Sequence, residues 1–229
     1  MAFNILSRVA SRLKGEKILY FPGCLTQLKY PKWVQNYKSM LNDAGVPYVM
    51  INGLKCCGSP LLNAGYVEDF KKLKAENEEI LKKNGITRII TNCPHCLKAF
   101  RKGYGLEAEH ISQILDARKY SAEKENGEVT YHSPCILEKE GITQEPRSLL
   151  KRKGFEIREP ARQLCCGVCG GVKQNNPELA NKIAQRALHQ LKAETIVVSC
   201  PYCYSHLSEN VGRGSSRKLL ELSEAIFDE

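Results

Sequence analysis

Nothing in this sequence approaches the ~20 consecutive apolar residues that a membrane-crossing helix requires, and its first residues lack the unbroken apolar core of a secretory signal. A chain of membrane-spanning helices is therefore not expected, and a cytoplasmic location is. Acidic residues are in deficit, 25 against 34 basic ones, for a formal charge of +9. That surplus is spread along the chain without a recognised nucleic-acid motif, so no nucleic-acid partner is expected. Aromatic residues are scarce at 7%, but a hydrophobic content of 42% and a charged content of 26% are those of a globular protein, not a disordered one. The 229 residues suffice for one large domain or two small ones. What is abundant is cysteine, with eleven residues. In a reducing compartment such density at patterned spacing reads as metal binding or redox chemistry, not structural disulfides. Ligating thiolates are anionic, so they would pull the true charge below the formal one.

The chain repeats itself. The segment ILYFPGC at 18–24 returns as VTYHSPC at 129–135, KCCG at 55–58 as LCCG at 164–167, and IITNCPHC at 89–96 as IVVSCPYC at 196–203. The three blocks keep their order, with offsets of 111, 109 and 107 residues. Periodicity predicts strands at 17–22, 46–51 and 86–92 and helices at 31–44 and 67–83 in the first half. In the second it predicts strands at 128–132, 155–158 and 195–199 and helices at 145–153, 177–192 and 215–227. The halves close on corresponding helices, 109–116 and 220–228. Such alternation predicts an α/β fold of two pseudo-symmetric βα repeats with parallel sheets. Ligands of such sheets gather beyond the carboxyl ends of the strands, where Cys24, Cys93, Cys135 and Cys200 fall. The division expected is an N-terminal segment at 1–16, a first cysteine-rich domain at 17–118, a polar linker at 119–127 and a second cysteine-rich domain at 128–229.

Each half carries one lone cysteine, a Cys-Cys-Gly and a Cys-x-x-Cys. The first set is Cys24, Cys56, Cys57, Cys93 and Cys96; the second is Cys135, Cys165, Cys166, Cys200 and Cys203. Structural zinc takes four ligands, and a cubane four-iron cluster takes four thiolates. Five is one too many, which suggests a thiolate bridging two irons in an opened, irregular cluster. Zinc in one or both sites is the alternative. Gly58 and Gly167 permit the tight turns that let adjacent thiols face one centre. Pro94 and Pro201 fit just inside helix starts, whose N–H groups face anionic sulfur.

With these residues in view, the chain resembles the cysteine-rich CCG-domain family, which includes the B subunit of heterodisulfide reductase and iron-sulfur subunits of glycolate and lactate oxidation. The motifs are Cys24-x31-Cys56-Cys57-Gly58-x34-Cys93-x2-Cys96 and Cys135-x29-Cys165-Cys166-Gly167-x32-Cys200-x2-Cys203. The surroundings CCGSPLLNAG at 56–65 and CPHCLKAF at 93–100 look like the heterodisulfide reductase-type members. The resemblance implies a non-cubane four-iron four-sulfur cluster in each set. It also implies a ferredoxin-like iron-sulfur partner subunit and a flavoprotein subunit, because this chain has no ferredoxin-type cysteine run. Two departures stand out: Ser133 where many relatives have aspartate, and Cys169, a sixth sulfur in the second half, where the first has Pro60.

His95, His132 and His206 lie beside set cysteines, where a histidine either moves protons or holds a ligand by a hydrogen bond. Tyr131 and Tyr202 carry the same alternatives, and Cys169 either touches substrate or alters its cluster. Residues 3, 6, 9, 10 and 13 form one apolar helical face with basic residues elsewhere, which suits a membrane surface, a partner or the protein's own core. The charge-rich stretch 71–83 reads as a solvated helix face. The function the resemblance implies is that of an oxidoreductase on sulfur groups, a catalytic subunit cleaving or forming a disulfide between two clusters. The alternatives are an electron relay for a flavin-dependent lactate- or glycolate-type dehydrogenase or a quinone-linked system, and a zinc-bearing scaffold.

Overall fold

The computed structural model describes residues 17–115, 125–212 and 214–227. The expected N-terminal segment and most of the expected linker lie outside the described residues. Strands β1 (Lys17–Tyr20), β2 (Ile86–Thr91) and β3 (Glu107–His110) form a parallel sheet in that order. A second parallel sheet has the order β5-β4-β6-β7, from β4 (Glu128–His132), β5 (Glu156–Ile157), β6 (Thr195–Val198) and β7 (Lys218–Glu221). β1, β2, β4 and β6 are buried over most of their length, the last three residues of each completely, as strands covered on both faces must be.

Twelve α-helices connect and cover the described strands: α1 (Cys24–Lys29), α2 (Pro31–Asp43), α3 (Ser59–Ala64), α4 (Val67–Lys83), α5 (Pro94–Lys98), α6 (Ile111–Ile114), α7 (Cys135–Lys139), α8 (Gln144–Arg152), α9 (Val172–Asn175), α10 (Pro177–Gln190), α11 (Pro201–Asn210) and α12 (Leu222–Ile226). A π-helical turn at Ala99–Tyr104 prolongs α5. No helix among the described residues is long and apolar enough to cross a membrane.

Three expectations are corrected. The strand at 46–51 contracts to one parallel bridge, Leu19 to Val49, in the place that β5 takes beside β4. The closing helix at 109–116 is a strand, β3, followed by the single turn α6. Likewise the helix at 215–227, with its end at 220–228, is β7 followed by the short α12. Helix-favouring Glu, Ala and Leu made these segments read as helical, yet the open edges of β2 and β6 offer complete ladders of partners. Each strand ends on a capping box. The His110 side chain accepts from the Ser112 N–H while Gln113 reaches back to the His110 N–H, and Glu221, Ser223 and Glu224 repeat the arrangement.

The two sheets share one core. Tyr20, Tyr37, Met40 and Ile90 pack in the same cluster as Tyr131, Leu149, Val197 and Leu222. Helix α2 of the first half lies against α12 of the second, and α8 of the second against α6 of the first. The exchange is reciprocal because these are corresponding elements of the repeat.

Candidate metal centres

Cys24 and Cys135 open helices just beyond β1 and β4, and Cys93 and Cys200 are the N-caps of α5 and α11 just beyond β2 and β6. All four therefore stand at carboxyl strand ends, as the alternation predicts. Pro94 and Pro201 occupy the first helical turn, leaving the free N–H groups of the helix start beside sulfur. The Cys-Cys turns close through glycines in left-handed conformation, Gly58 at φ 80° and Gly167 at φ 82°. A β-carbon on Gly58 would fall 2.6 Å from Phe70, and one on Gly167 2.9 Å from Ile183. Both turns are thus pressed against a helix later in the same half.

The five thiols of each half converge. Cys24 Sγ lies 3.8 Å from Cys56 Sγ, and Cys57 meets both Cys56 and Cys96. In the second half Cys166 Sγ lies 3.1 Å from Cys203 Sγ, and Cys165 meets both Cys135 and Cys166. The burial pattern repeats too: Cys57, Cys93 and Cys96 are buried, as are Cys166, Cys200 and Cys203, whereas the lone cysteine and the first of each pair reach the surface.

Proton sharing splits each group. Bonds from Cys56 and Cys96 hold the Cys57 thiol down, while bonds to Cys57 and Cys93 raise Cys96. Bonds from Cys135 and Cys166 hold Cys165 down, while Cys135 is raised. In each group one thiol is thus shifted toward the anionic form, the form that ligates metal. An orphaned atom points the same way. His132 is buried, its Nε2 has no hydrogen-bond partner, and a ring nitrogen lies within 4.8 Å of the sulfurs of Cys166 and Cys203. Burial pushes this imidazole down to about 4, so it stays neutral. Two five-sulfur groups at helix starts, one with an unpartnered neutral imidazole beside it, fit thiophilic metal centres.

The two groups cross over at one point. His95, between Cys93 and Cys96, bonds to Cys200 of the other half, and Tyr202, between Cys200 and Cys203, faces Cys93, Cys24, Cys96 and Cys56. These corresponding residues touch, with ring centroids 5.1 Å apart. Burial alone would pull the His95 ring down, but its bonds to Cys169 and Cys200 and the nearby thiolate charge push it up to about 11. Above the pair opens a cavity of about 620 Å³. It is lined by His95 and Tyr202, by the residues after the first Cys-Cys-Gly (among them Ser59, Asn63 and Tyr66), and by those after the second (among them Cys169, Gln174 and Asn175). Cys169 Sγ lies 3.1 Å from His95 Nε2. Burial raises the Cys169 thiol, and the His95 ring pulls it back.

The remaining sequence candidates lie elsewhere. His206 is buried on α11, its Nε2 3.2 Å from the Ala180 carbonyl of α10, and it does not line the cavity. The Tyr131 hydroxyl bonds to Ser199 under the second group. One residue the motifs do not reveal is Asn77. It is fully buried, accepts from the Lys55 N–H, and donates to the Cys56 carbonyl and the Tyr104 hydroxyl, fastening the first Cys-Cys turn to α4. Its signal was an amide seven residues after Phe70 on the buried stripe of α4.

Against known proteins, the sequence model of the cysteine-rich domain family CCG matches twice, at residues 18–101 and 129–208. The B subunit of the fumarate reductase (CoM/CoB) of Methanothermobacter marburgensis is 29% identical, over 94% of this chain and 47% of its own length. The D subunit of the dihydromethanophenazine:CoB–CoM heterodisulfide reductase of Methanosarcina acetivorans is 30% identical, over 91% of this chain and 57% of its own. The C subunit of the anaerobic glycerol-3-phosphate dehydrogenase of Escherichia coli is 25% identical, over 92% and 59%. The chain thus spans about half the length of these relatives.

Proposed function

This chain belongs to the cysteine-rich domain family CCG, and from that premise we propose that it is an iron-sulfur oxidoreductase subunit acting on a disulfide or related sulfur substrate in the cavity between two centres. Cys24, Cys56, Cys57, Cys93 and Cys96 hold the first centre, and Cys135, Cys165, Cys166, Cys200 and Cys203 the second. Each is a four-iron four-sulfur cluster of non-cubane type, and when bound each supplies one electron at a time. The division at 17–118 and 128–229 gives each domain one centre. A ferredoxin-like subunit and a flavoprotein deliver the electrons.

The observation that carries this reading is the crossing of His95 and Tyr202 beneath a shared cavity. An S–S bond takes two electrons, so a pocket flanked by two one-electron centres suits it, whereas a relay needs no pocket. The chain's own residues do the rest. The segments that follow the two Cys-Cys-Gly turns, with their short helices, wall the cavity together with His95 and Tyr202. Burial of the second cysteine of each pair and of both Cys-x-x-Cys pairs keeps water from those sulfurs.

Anaerobically purified protein is expected to be brown, with about eight irons per chain if both sites fill. Cys57→Ser should empty the first site and Cys166→Ser the second, because an alkoxide is a poor substitute for thiolate at these irons. Each variant should lose disulfide reduction, driven by an artificial donor, at least ~100-fold, about 3 kcal/mol of barrier. A variant with its cluster shown to be lost but wild-type turnover would refute paired action and favour the relay. Colourless protein holding zinc would favour the scaffold.

A further inference from the structure

Cys169 is the cysteine left over when the two sets of five are assigned. One side of it packs against the apolar cluster of the second half, but it is not closed in there as a purely packing thiol is. It is half-buried and faces the 620 Å³ cavity, two residues after the second Cys-Cys-Gly turn. Its contact at 3.1 Å is with His95, a buried ring of the other half, so the sulfur is held from across the pocket. The rest of the wall offers no rival nucleophile. Among the described residues the lining holds no lysine, arginine or carboxylate, and besides the His95 ring its polar groups are the hydroxyls of Ser59, Tyr66 and Tyr202 and the amides of Asn63, Gln174 and Asn175.

We propose that Cys169 receives the substrate sulfur, exchanging with a small disulfide in the cavity and holding one half of it as a mixed disulfide. The proposal deepens the disulfide reading above and rests on it. In the step, Cys169 Sγ attacks one sulfur of R–S–S–R′. The Sγ–S bond forms as the S–S bond breaks, and the thiol proton leaves on the departing R′–SH. No oxidant or reductant is consumed. The two electrons that later free R–SH are those that disulfide reduction requires in any case. Such exchange demands a reachable sulfur, and the His95 contact holds this one at the cavity wall. Pro60 at the corresponding position of the first half cannot do this, so the pocket has one reactive wall and one inert one.

The test treats anaerobic, cluster-loaded protein with bis(2-hydroxyethyl) disulfide before any electron donor is added. After acid quench and alkylation, the adduct is located by peptide fragmentation. Wild type should carry one hydroxyethylthio group on Cys169 and release one equivalent of 2-mercaptoethanol. Cys169→Ser keeps a hydroxyl beside His95, and Cys169→Ala removes the side chain. Both, with wild-type iron content and visible spectrum, should give at most about a tenth of the adduct and a tenth of the turnover. An adduct on other cysteines, or wild-type turnover in both variants, would overturn the proposal while leaving disulfide reduction standing. An adduct on Cys169 in a protein that no donor drives to turnover would support the exchange site and defeat the disulfide reductase reading instead.

Discussion

At the scale of single residues, the paired thiols depend on two glycines for different but measurable reasons. Any side chain at Gly58 or Gly167 must adopt a left-handed backbone, at about 1–2 kcal/mol, and must also push into a helix. At Gly58 the obstacle is the Phe70 ring; at Gly167 it is Ile183 together with the Ala180 carbonyl oxygen 3.0 Å away. Overpacking of that kind costs a further ~1–3 kcal/mol. Gly45 has the same backbone strain at φ 63° but nothing within 4 Å of an added β-carbon. The expected outcome is that Gly58→Ala and Gly167→Ala each lower the melting temperature by about 5–15 °C, while Gly45→Ala costs about a third of that. Thermal unfolding of the three variants under one buffer checks it. The Cys-Cys-Gly pattern announced the need for a glycine, but not what the turn is pressed against.

At the scale of elements, the centres are held by how helices start and by what ties loops to them. The N-cap positions of Cys93 and Cys200 were legible, because Cys-Pro after an apolar run marks both a strand end and a helix start. The closing elements were not, because four residues of strand carry too little periodicity to outweigh helix-favouring composition. The signal that was present is local: ISQ after His110 and LSE after Glu221, each placing Gln or Glu three residues past a potential cap. Asn77 shows the same limit. Its place on the helical stripe was visible, but its partners at Lys55, Cys56 and Tyr104 are set by tertiary contact. Asn77→Ala leaves the part-buried Lys55 N–H and Cys56 carbonyl without their partner, at about 1–3 kcal/mol. We expect it to lower stability by that amount and to deplete iron from the first centre while the second stays filled. Iron content of Asn77→Ala combined with Cys166→Ser would then fall toward zero.

At the scale of the whole molecule, the halves are joined by a buried acid. Glu221, at the end of β7, accepts a 2.6 Å bond from the Tyr37 hydroxyl of α2. Tyr20 of β1 and Glu224 of α12 also face it. Burial raises this carboxyl from 4.5 to about 7, against the lowering bonds from Ser223 and Tyr37. A carboxyl that holds its proton more tightly folded than unfolded contributes stability that is complete below about pH 4.5. That contribution is lost as the pH rises through about 7, and it amounts to ~3 kcal/mol at most. Glu221→Gln carries no such proton. The stability difference between wild type and this variant should therefore move against wild type between those limits and stay flat above about pH 8. Melting temperatures across that range check the sign, and a constant difference would show that Glu221 does not titrate there.

The repeat, the two five-cysteine sets and their places at strand ends were legible in the linear order of residues. Those follow from spacing, period and the rule that open parallel sheets present ligands beyond their carboxyl ends. Only the tertiary structure decided how the two sets face each other. His95 and Tyr202 correspond in the repeat, but nothing in a linear order says that corresponding residues will touch. That contact arises because α2 packs on α12 and α8 on α6, so each half completes its core with the other, and the segments that follow both Cys-Cys-Gly turns come to one cavity. Cys169 was visible as a surplus sulfur. Its meaning came from a histidine 74 positions away, carried to it by the same packing.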